Sequence, residues 1–190
     1  MTICIKDRKC LFGGVVNGKM VLNEIGRVAD KCLIDIPGHF DDTEIPIHAV
    51  MPNHVHAIVN IYGSDIEIVN CLDNMVGGRY ICHLQGGKLI TDKPDRRQNQ
   101  KLPVIIGTYK AAVTREINKL YEDVKFKWQR YYHDYIIGTE RALENIYNYI
   151  IYNPHNWQTD LENKEYLKTL SIKEREKKAK EFYKGLTGKP

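Results

Sequence analysis

Apolar positions along the chain follow two rhythms, an alternation suited to strands and a three-to-four-residue recurrence suited to helices. Thr2-Ile3-Cys4-Ile5 is a short β-type run. Ile45, Ile47 and Val50 mark a strand over residues 44–50. After the Met51-Pro52-Asn53 break, the β-branched run over 54–62 marks another. Asn17-Gly18, flanked by Val15-Val16 and Met20-Val21, signals a hairpin. Asn23 can cap a helix that carries Ile25, Val28, Ala29, Cys32 and Leu33 and closes at Pro37-Gly38. Over 102–121, Ile105, Ile106, Tyr109, Ala112, Val113, Ile117 and Leu120 recur at helical spacing, with Lys110, Thr114, Arg115 and Lys119 on the other face. Short strands are predicted at 126–128 and 135–137. Thr139 caps a last core helix through Tyr152, and Pro154 stops it.

This order predicts an α+β fold: a ferredoxin-like sandwich, with helices packed on a mainly antiparallel sheet. The core domain is expected over 1–160. Within it, 63–101 has little pattern, carries Gly77-Gly78 and Gly86-Gly87, and predicts a long mobile loop. Residues 161–190 are highly charged, with only loosely spaced apolar positions, and predict an appended helical tail whose charge run is a solvated face.

Composition narrows the class without naming a chemistry. The 190 residues are 43% hydrophobic and 27% charged, ordinary for a globular protein. No apolar run is long enough for a membrane span, and the N-terminus lacks the apolar core of a signal peptide. The five cysteines are scattered and form no C-x-x-C, so a reduced, cytoplasmic protein is expected and a zinc ribbon is not. A net charge of +4 permits nucleic-acid binding but does not demand it.

Residues two apart on a strand share a face, so His54 and His56 project together while Val55 and Ala57 face the opposite side. Two neutral imidazoles so placed can grip one divalent ion. Tyr149 and Asn153, one turn apart on the last core helix, fall on the flank of the stripe formed by Leu143, Ile146, Tyr147, Ile150 and Ile151. Taken alone, these residues favour the plainer alternative: a chance His pair, one of 12 tyrosines, and a helix-end asparagine before proline.

Longer matches change the balance. Met51-Pro52-Asn53-His54-Val55-His56 resembles the His-hydrophobic-His motif of the HUH-type single-domain tyrosine transposases, in particular their REP-associated branch. Three further stretches match in order: Gly107 to Arg115, Trp128 to Asp134, and Tyr149-Ile150-Ile151-Tyr152-Asn153-Pro154. Leu11-Phe12-Gly13 fits as well. The resemblance spans roughly residues 1–160. It departs in three places: the first strand is shorter, Gly138 stands where a basic residue is usual, and the 63–101 segment is longer than a minimal domain needs.

The resemblance implies a metal-dependent single-stranded DNA endonuclease or transposase working through a 5′-phosphotyrosine intermediate. It implies Tyr149 as nucleophile, and His54, His56 and Asn153 as ligands of Mg²⁺ or Mn²⁺. The implied partner is single-stranded or hairpin DNA, with a homodimer among the expected assemblies. Lys110, Arg115, Lys119 and Arg130 are candidates for DNA backbone contact. Tyr131 and Tyr132 are candidates for stacking on unpaired bases, and Trp128 reads better as core. His39, His48, His83 and His155 read as structural; His133 lies in a matched motif without an assigned role. Two rivals remain: a non-catalytic, transposase-derived protein that binds DNA hairpins, and a metal-dependent hydrolase in which the His pair activates water.

Overall fold

Both rhythms are realised in the computed structural model, which describes residues 1–62, 75–76, 79–80, 98–121 and 124–187. The elements run β1 (Thr2–Cys4), β2 (Gly13–Val16), β3 (Lys19–Leu22), α1 (Glu24–Ile34), β4 (Thr43–Val50), β5 (His54–Ile61), the two-residue strands β6 (Met75–Val76) and β7 (Arg79–Tyr80), α2 (Gln98–Leu120), α3 (Glu140–Tyr152), α4 (Lys164–Thr169) and α5 (Ile172–Thr187).

The central sheet has the order β1-β5-β4, antiparallel throughout. Residues 127–133 extend it along the other edge of β1. Thr2 and His133 exchange backbone bonds of 2.7 and 2.9 Å, Gln129 donates to Cys4, and Lys6 donates to Lys127. The spatial order is therefore 127–133, β1, β5, β4, with the parallel pair β1 and β4 split by β5. That is the ferredoxin-like βαββαβ arrangement within an α+β fold.

The register decides which residues share a face. Thr2 and Ala49 both lie opposite His56, and Cys4 lies opposite His54, so these five side chains project to one side. Ile3 and Val50 lie opposite Val55, and His48 opposite Ala57, on the other side. That second face is buried under α1 and α2. Ile3, Val50, Val55 and Ala57 join Phe12, Ala29, Leu33, Ile105, Ile106, Tyr109, Val113 and Ile117 in one core. At about 25 cal/mol per Å² of apolar surface, each large aliphatic there contributes roughly 2 kcal/mol. The Tyr109 hydroxyl is paired too, donating to the Ala29 carbonyl at 3.1 Å. His48 reaches across to Asp30 of α1 at 2.9 Å. α3 covers the opposite, histidine-bearing face, and α5 packs on α3.

Local chemistry explains the boundaries. Asn23 accepts from Gly26 N at 2.9 Å and Thr139 from Ala142 N at 3.2 Å, so both expected caps are in place. Asn17 and Gly18 take φ of 51° and 72°, the two left-handed residues of a type I′ hairpin turn. β1 is short, but it is paired on both sides, and Met1 O accepts from Ala57 N.

Two expectations are corrected. α2 begins at Gln98 rather than 102, and Lys101 in that added turn ion-pairs with Asp42. The strands expected at 126–128 and 135–137 are absent as regular strands. β1 offers only a short edge, so 127–133 meets it through isolated bridges at Ile5–Trp128 and Thr2–His133. Beyond that edge Ile136 is left 73% exposed. The expected helical tail comprises two helices, α4 and α5. Ser171 and Glu174 form a reciprocal capping box, Ser171 N donating to Glu174 Oε2 at 2.8 Å and Glu174 N to Ser171 Oγ at 3.3 Å, which starts α5 afresh. Most of the expected 63–101 loop lies outside the described residues, as do Cys71, Cys82 and His83.

Gly26 sits in the first turn of α1, where a Cβ would stand 2.1 Å from the Phe12 carbonyl oxygen. Gly107, inside α2, has open space around it. Helix propensity favours alanine at both positions by up to ~1 kcal/mol. The expected outcome is that Gly107→Ala stabilises by that order, whereas Gly26→Ala destabilises by about 1–3 kcal/mol through overpacking. Urea denaturation of the two variants checks the opposite signs.

Candidate active site

The histidine-bearing face of β5 and the end of α3 meet at a cluster of buried polar groups. His54 Nε2 and His56 Nε2 stand 2.8 Å apart, with the rings edge to face. Each ring is held from behind through Nδ1. Asn53 Oδ1 lies 2.7 Å from His54 Nδ1, and Thr2 Oγ1 lies 2.9 Å from His56 Nδ1. Such partners orient an imidazole and leave Nε2 for a ligand.

From α3, the Tyr149 hydroxyl reaches to 3.1 Å from His56 Nε2 and donates to Asp160 Oδ2 at 3.1 Å. One turn later, Asn153 donates its amide nitrogen to the same Asp160 oxygen at 2.7 Å. Asp160 follows the short 3₁₀ turn Trp157–Thr159, and its other oxygen accepts from Glu162 N at 2.6 Å. The Glu162 carboxylate in turn takes Arg8 Nε at 2.8 Å and the Cys4 thiol at 3.4 Å. β1, β5, the end of α3 and residues 160–162 thus converge on one spot.

His54, His56 and Asp160 are all buried, with one ligand atom from each within 4.8 Å of the others: a group that can hold a metal ion. The donor set, two neutral nitrogens and one carboxylate oxygen, is chemically apt for a divalent cation and leaves coordination positions open. A further observation agrees. Asn153 Oδ1 is buried and has no hydrogen-bond partner among the described residues, although buried polar atoms are almost always paired. The third group in the cluster, Asp160, was not legible in the sequence. It follows the helix by a non-helical turn, so no periodicity links it to His54 or His56.

Burial dominates the electrostatics. It holds His56 well below the usual imidazole range, helped by the His54 ring, and lowers His54 against the opposing pull of Asp160 and Glu162. Both rings are therefore neutral near pH 7, the form that ligates metals. The Tyr149 phenol is pushed far up, first by burial and then by the Asp160 charge that accepts its hydrogen bond. It is held protonated unless positive charge arrives nearby. The Cys4 thiol is likewise pushed far up by burial and Glu162, and so behaves as a neutral donor.

A cavity of ≈ 630 Å³ opens from this cluster along the sheet, with His56, Tyr149 and Asp160 at one part and Ile58, Leu143 and Ile146 along its apolar wall. Phe182 of α5 also lines it and packs edge to face on Tyr149 at 4.9 Å between ring centres. The tail thus has a contact with the site that its charge pattern did not announce.

The basic residues singled out in the sequence are dispersed. Arg115 and Lys119 lie on α2, in the helical layer on the far side of the sheet from His54 and His56. Lys110 is half-buried and donates to the Gln129 carbonyl at 2.9 Å, tying α2 to the 127–133 segment. Arg130 is exposed beside β1, 5.5 Å from the Tyr131 ring centre, and Tyr131 is 74% exposed. Trp128 is partly buried and packs against the core, on Phe12, Tyr109 and Phe126, and it donates to Lys110 O.

The chain is 36% identical over 162 residues to an uncharacterized protein of Haemophilus influenzae, a match covering 84% of this chain and 81% of the relative. The chain belongs to the same family as that protein. No family model and no solved structure matches. Among the described residues no helix is long and apolar enough to cross a membrane.

The lowered histidines make a signed prediction for metal-free protein. An unfolded histidine takes up its proton at about pH 6.5, whereas His54 and His56 resist protonation in the fold. Below that pH the unfolded chain binds more protons, so stability falls as pH drops and is fully present above it. Denaturation in the presence of a chelator should show lower stability at pH 5.5 than at pH 7.5. His56→Gln, which has no proton to take up, should show a flatter profile.

Proposed function

We propose that this protein is a metal-dependent endonuclease and strand transferase for single-stranded DNA, with Tyr149 as the nucleophile. The observation that carries the reading is the position of the Tyr149 hydroxyl, 3.1 Å from His56 Nε2 beside the His54–His56 pair. The resemblance of the motifs around His54 and Tyr149 to the HUH tyrosine transposases supports it. So does the polar, metal-apt character of the surrounding groups.

Each residue has a task in this reading. His54 and His56 hold a divalent cation, with Asp160 as the oxygen ligand and Asn153, whose carbonyl oxygen lacks a partner, as a further one. Two imidazoles favour Mn²⁺ over Mg²⁺, although cellular Mg²⁺ can serve. When bound, the cation supplies Lewis-acid charge that polarises the scissile phosphate and lowers the cost of phenolate formation. Tyr149 Oη forms the bond to phosphorus and the P–O3′ bond breaks, leaving a 5′-phosphotyrosine and a 3′ hydroxyl. The phenol proton passes along the existing hydrogen bond to Asp160, and the departing 3′ oxygen takes a proton from solvent. Because the phosphoester is kept on the protein, the strand can be rejoined without ATP. Arg130 and Tyr131, exposed at the sheet edge beside β1, suit a phosphate contact and a stacked base. Hairpin DNA and a second copy of the chain are the partners this reading expects.

One observation favours a second reading, a non-catalytic hairpin-binding protein: the Phe182 ring lies against Tyr149. The two readings separate on a denaturing gel with labelled single-stranded substrate and Mn²⁺ or Mg²⁺. The enzyme forms a covalent adduct, which Tyr149→Phe abolishes while DNA binding is kept. An adduct that survives in Tyr149→Phe removes Tyr149 from the nucleophile's role, and wild-type binding with no adduct favours the second reading.

His54→Ala with His56→Ala is expected to eliminate metal-dependent cleavage. Product ends add a check against a water-activating hydrolase, which would release both DNA ends free of protein.

A further inference from the structure

Asn53, immediately before β5, is fully buried between His54 and the backbone of Arg8 and Glu162. Its amide nitrogen faces two backbone carbonyls, Glu162 O at 2.8 Å and Arg8 O at 3.4 Å. Carbonyls only accept, so the nitrogen must point at them, and Oδ1 is turned the other way. Oδ1 lies 2.7 Å from His54 Nδ1. An amide oxygen also only accepts. His54 must therefore carry its proton on Nδ1, which leaves a bare lone pair on Nε2.

We infer that Asn53 is a positioning residue that locks His54 in the Nδ1–H tautomer and so presents the His54 Nε2 lone pair to a cation. The tautomer follows from the hydrogen bonds alone; its purpose rests on the reading of His54 as a ligand. His56 is held differently. Its Nδ1 meets the Thr2 hydroxyl, which can donate or accept. In the metal-free arrangement, His56 Nε2–H donates to the bare His54 Nε2 at 2.8 Å, and Thr2 donates to His56 Nδ1. On metal binding His56 moves its proton to Nδ1, and Thr2 becomes the acceptor. One imidazole is thus fixed and its neighbour can take either tautomer, so both lone pairs can face one ion with both rings neutral. The Asn53 bond to Glu162 O also ties His54 to the segment that bears Asp160, so the nitrogen and oxygen ligands share one scaffold.

The test is two-bond ¹H–¹⁵N correlation spectroscopy of the full chain in chelator at neutral pH, joined to Mn²⁺ titration by calorimetry. Wild-type His54 is expected to show a pyrrole-type Nδ1 and a pyridine-type Nε2. Asn53→Leu, which keeps the shape but removes the acceptor, should move the proton to Nε2 and weaken Mn²⁺ binding about 10–100-fold, the usual cost of losing such a partner. Asn53→Asp keeps an acceptor and should retain the wild-type tautomer and bind Mn²⁺ more tightly than the leucine variant. A wild-type His54 protonated on Nε2 overturns the inference, without needing either variant to fold. So does an Asn53→Leu variant with unchanged tautomer and unchanged Mn²⁺ affinity. If the tautomer is as stated but wild-type protein binds no Mn²⁺, the lock stands and its purpose, together with the proposed catalytic reading, fails.

Discussion

Two imidazole nitrogens facing each other at 2.8 Å inside a protein can be satisfied in few ways. A single proton lies between them, or a cation does. Protonating both rings is opposed by burial, which lowers both histidines. The rest of the site is arranged around this constraint. Asn53 and Thr2 hold the far sides of the rings, and the phenol of Tyr149 closes on His56 from α3. Remove the sheet register that sets Thr2 opposite His56, and the Thr2 hydroxyl no longer reaches the far side of that ring.

Asp160 is the junction on the helical side. One of its oxygens accepts from both Tyr149 and Asn153, and the other from Glu162 N. The carboxylate therefore sets the height of the last turn of α3 over the sheet, and it raises the phenol's proton affinity. A negative charge beside two neutral nitrogens and a protonated phenol is an arrangement that a divalent cation would complete. The ion pair between Arg8 and Glu162 offsets part of the remaining negative charge.

The tail belongs to this architecture as well as to the surface. The charged side chains of α4 and α5 are exposed, as their pattern suggested, but Glu162 pairs with Arg8 and Phe182 is turned inward onto Tyr149. Phe182 and Tyr183 sit together in a run of lysines and glutamates and carry little periodic signal, so the Phe182 contact emerges only when α5 folds back on α3. The same holds for the basic residues of α2. They share a helix face in the sequence, yet the sheet separates Arg115 and Lys119 from the histidine pair.

What the sequence determined by itself was local: the alternation that sends His54 and His56 to one face, the caps at Asn23 and Thr139, the Asn17-Gly18 turn, and the one-turn spacing of Tyr149 and Asn153. These follow from backbone geometry over a few residues, and element order sufficed to reach the ferredoxin-like class. The capping box at Ser171 that starts α5 is equally local. What only the tertiary structure decided was who meets whom across long separations. Thr2 behind His56, Glu162 O on Asn53, Asp160 under Tyr149 and Phe182 against it all join segments distant in the chain. Strand register, the turn after α3 and the fold-back of α5 set those meetings. Each depends on packing summed over the whole core, which no short stretch of residues encodes.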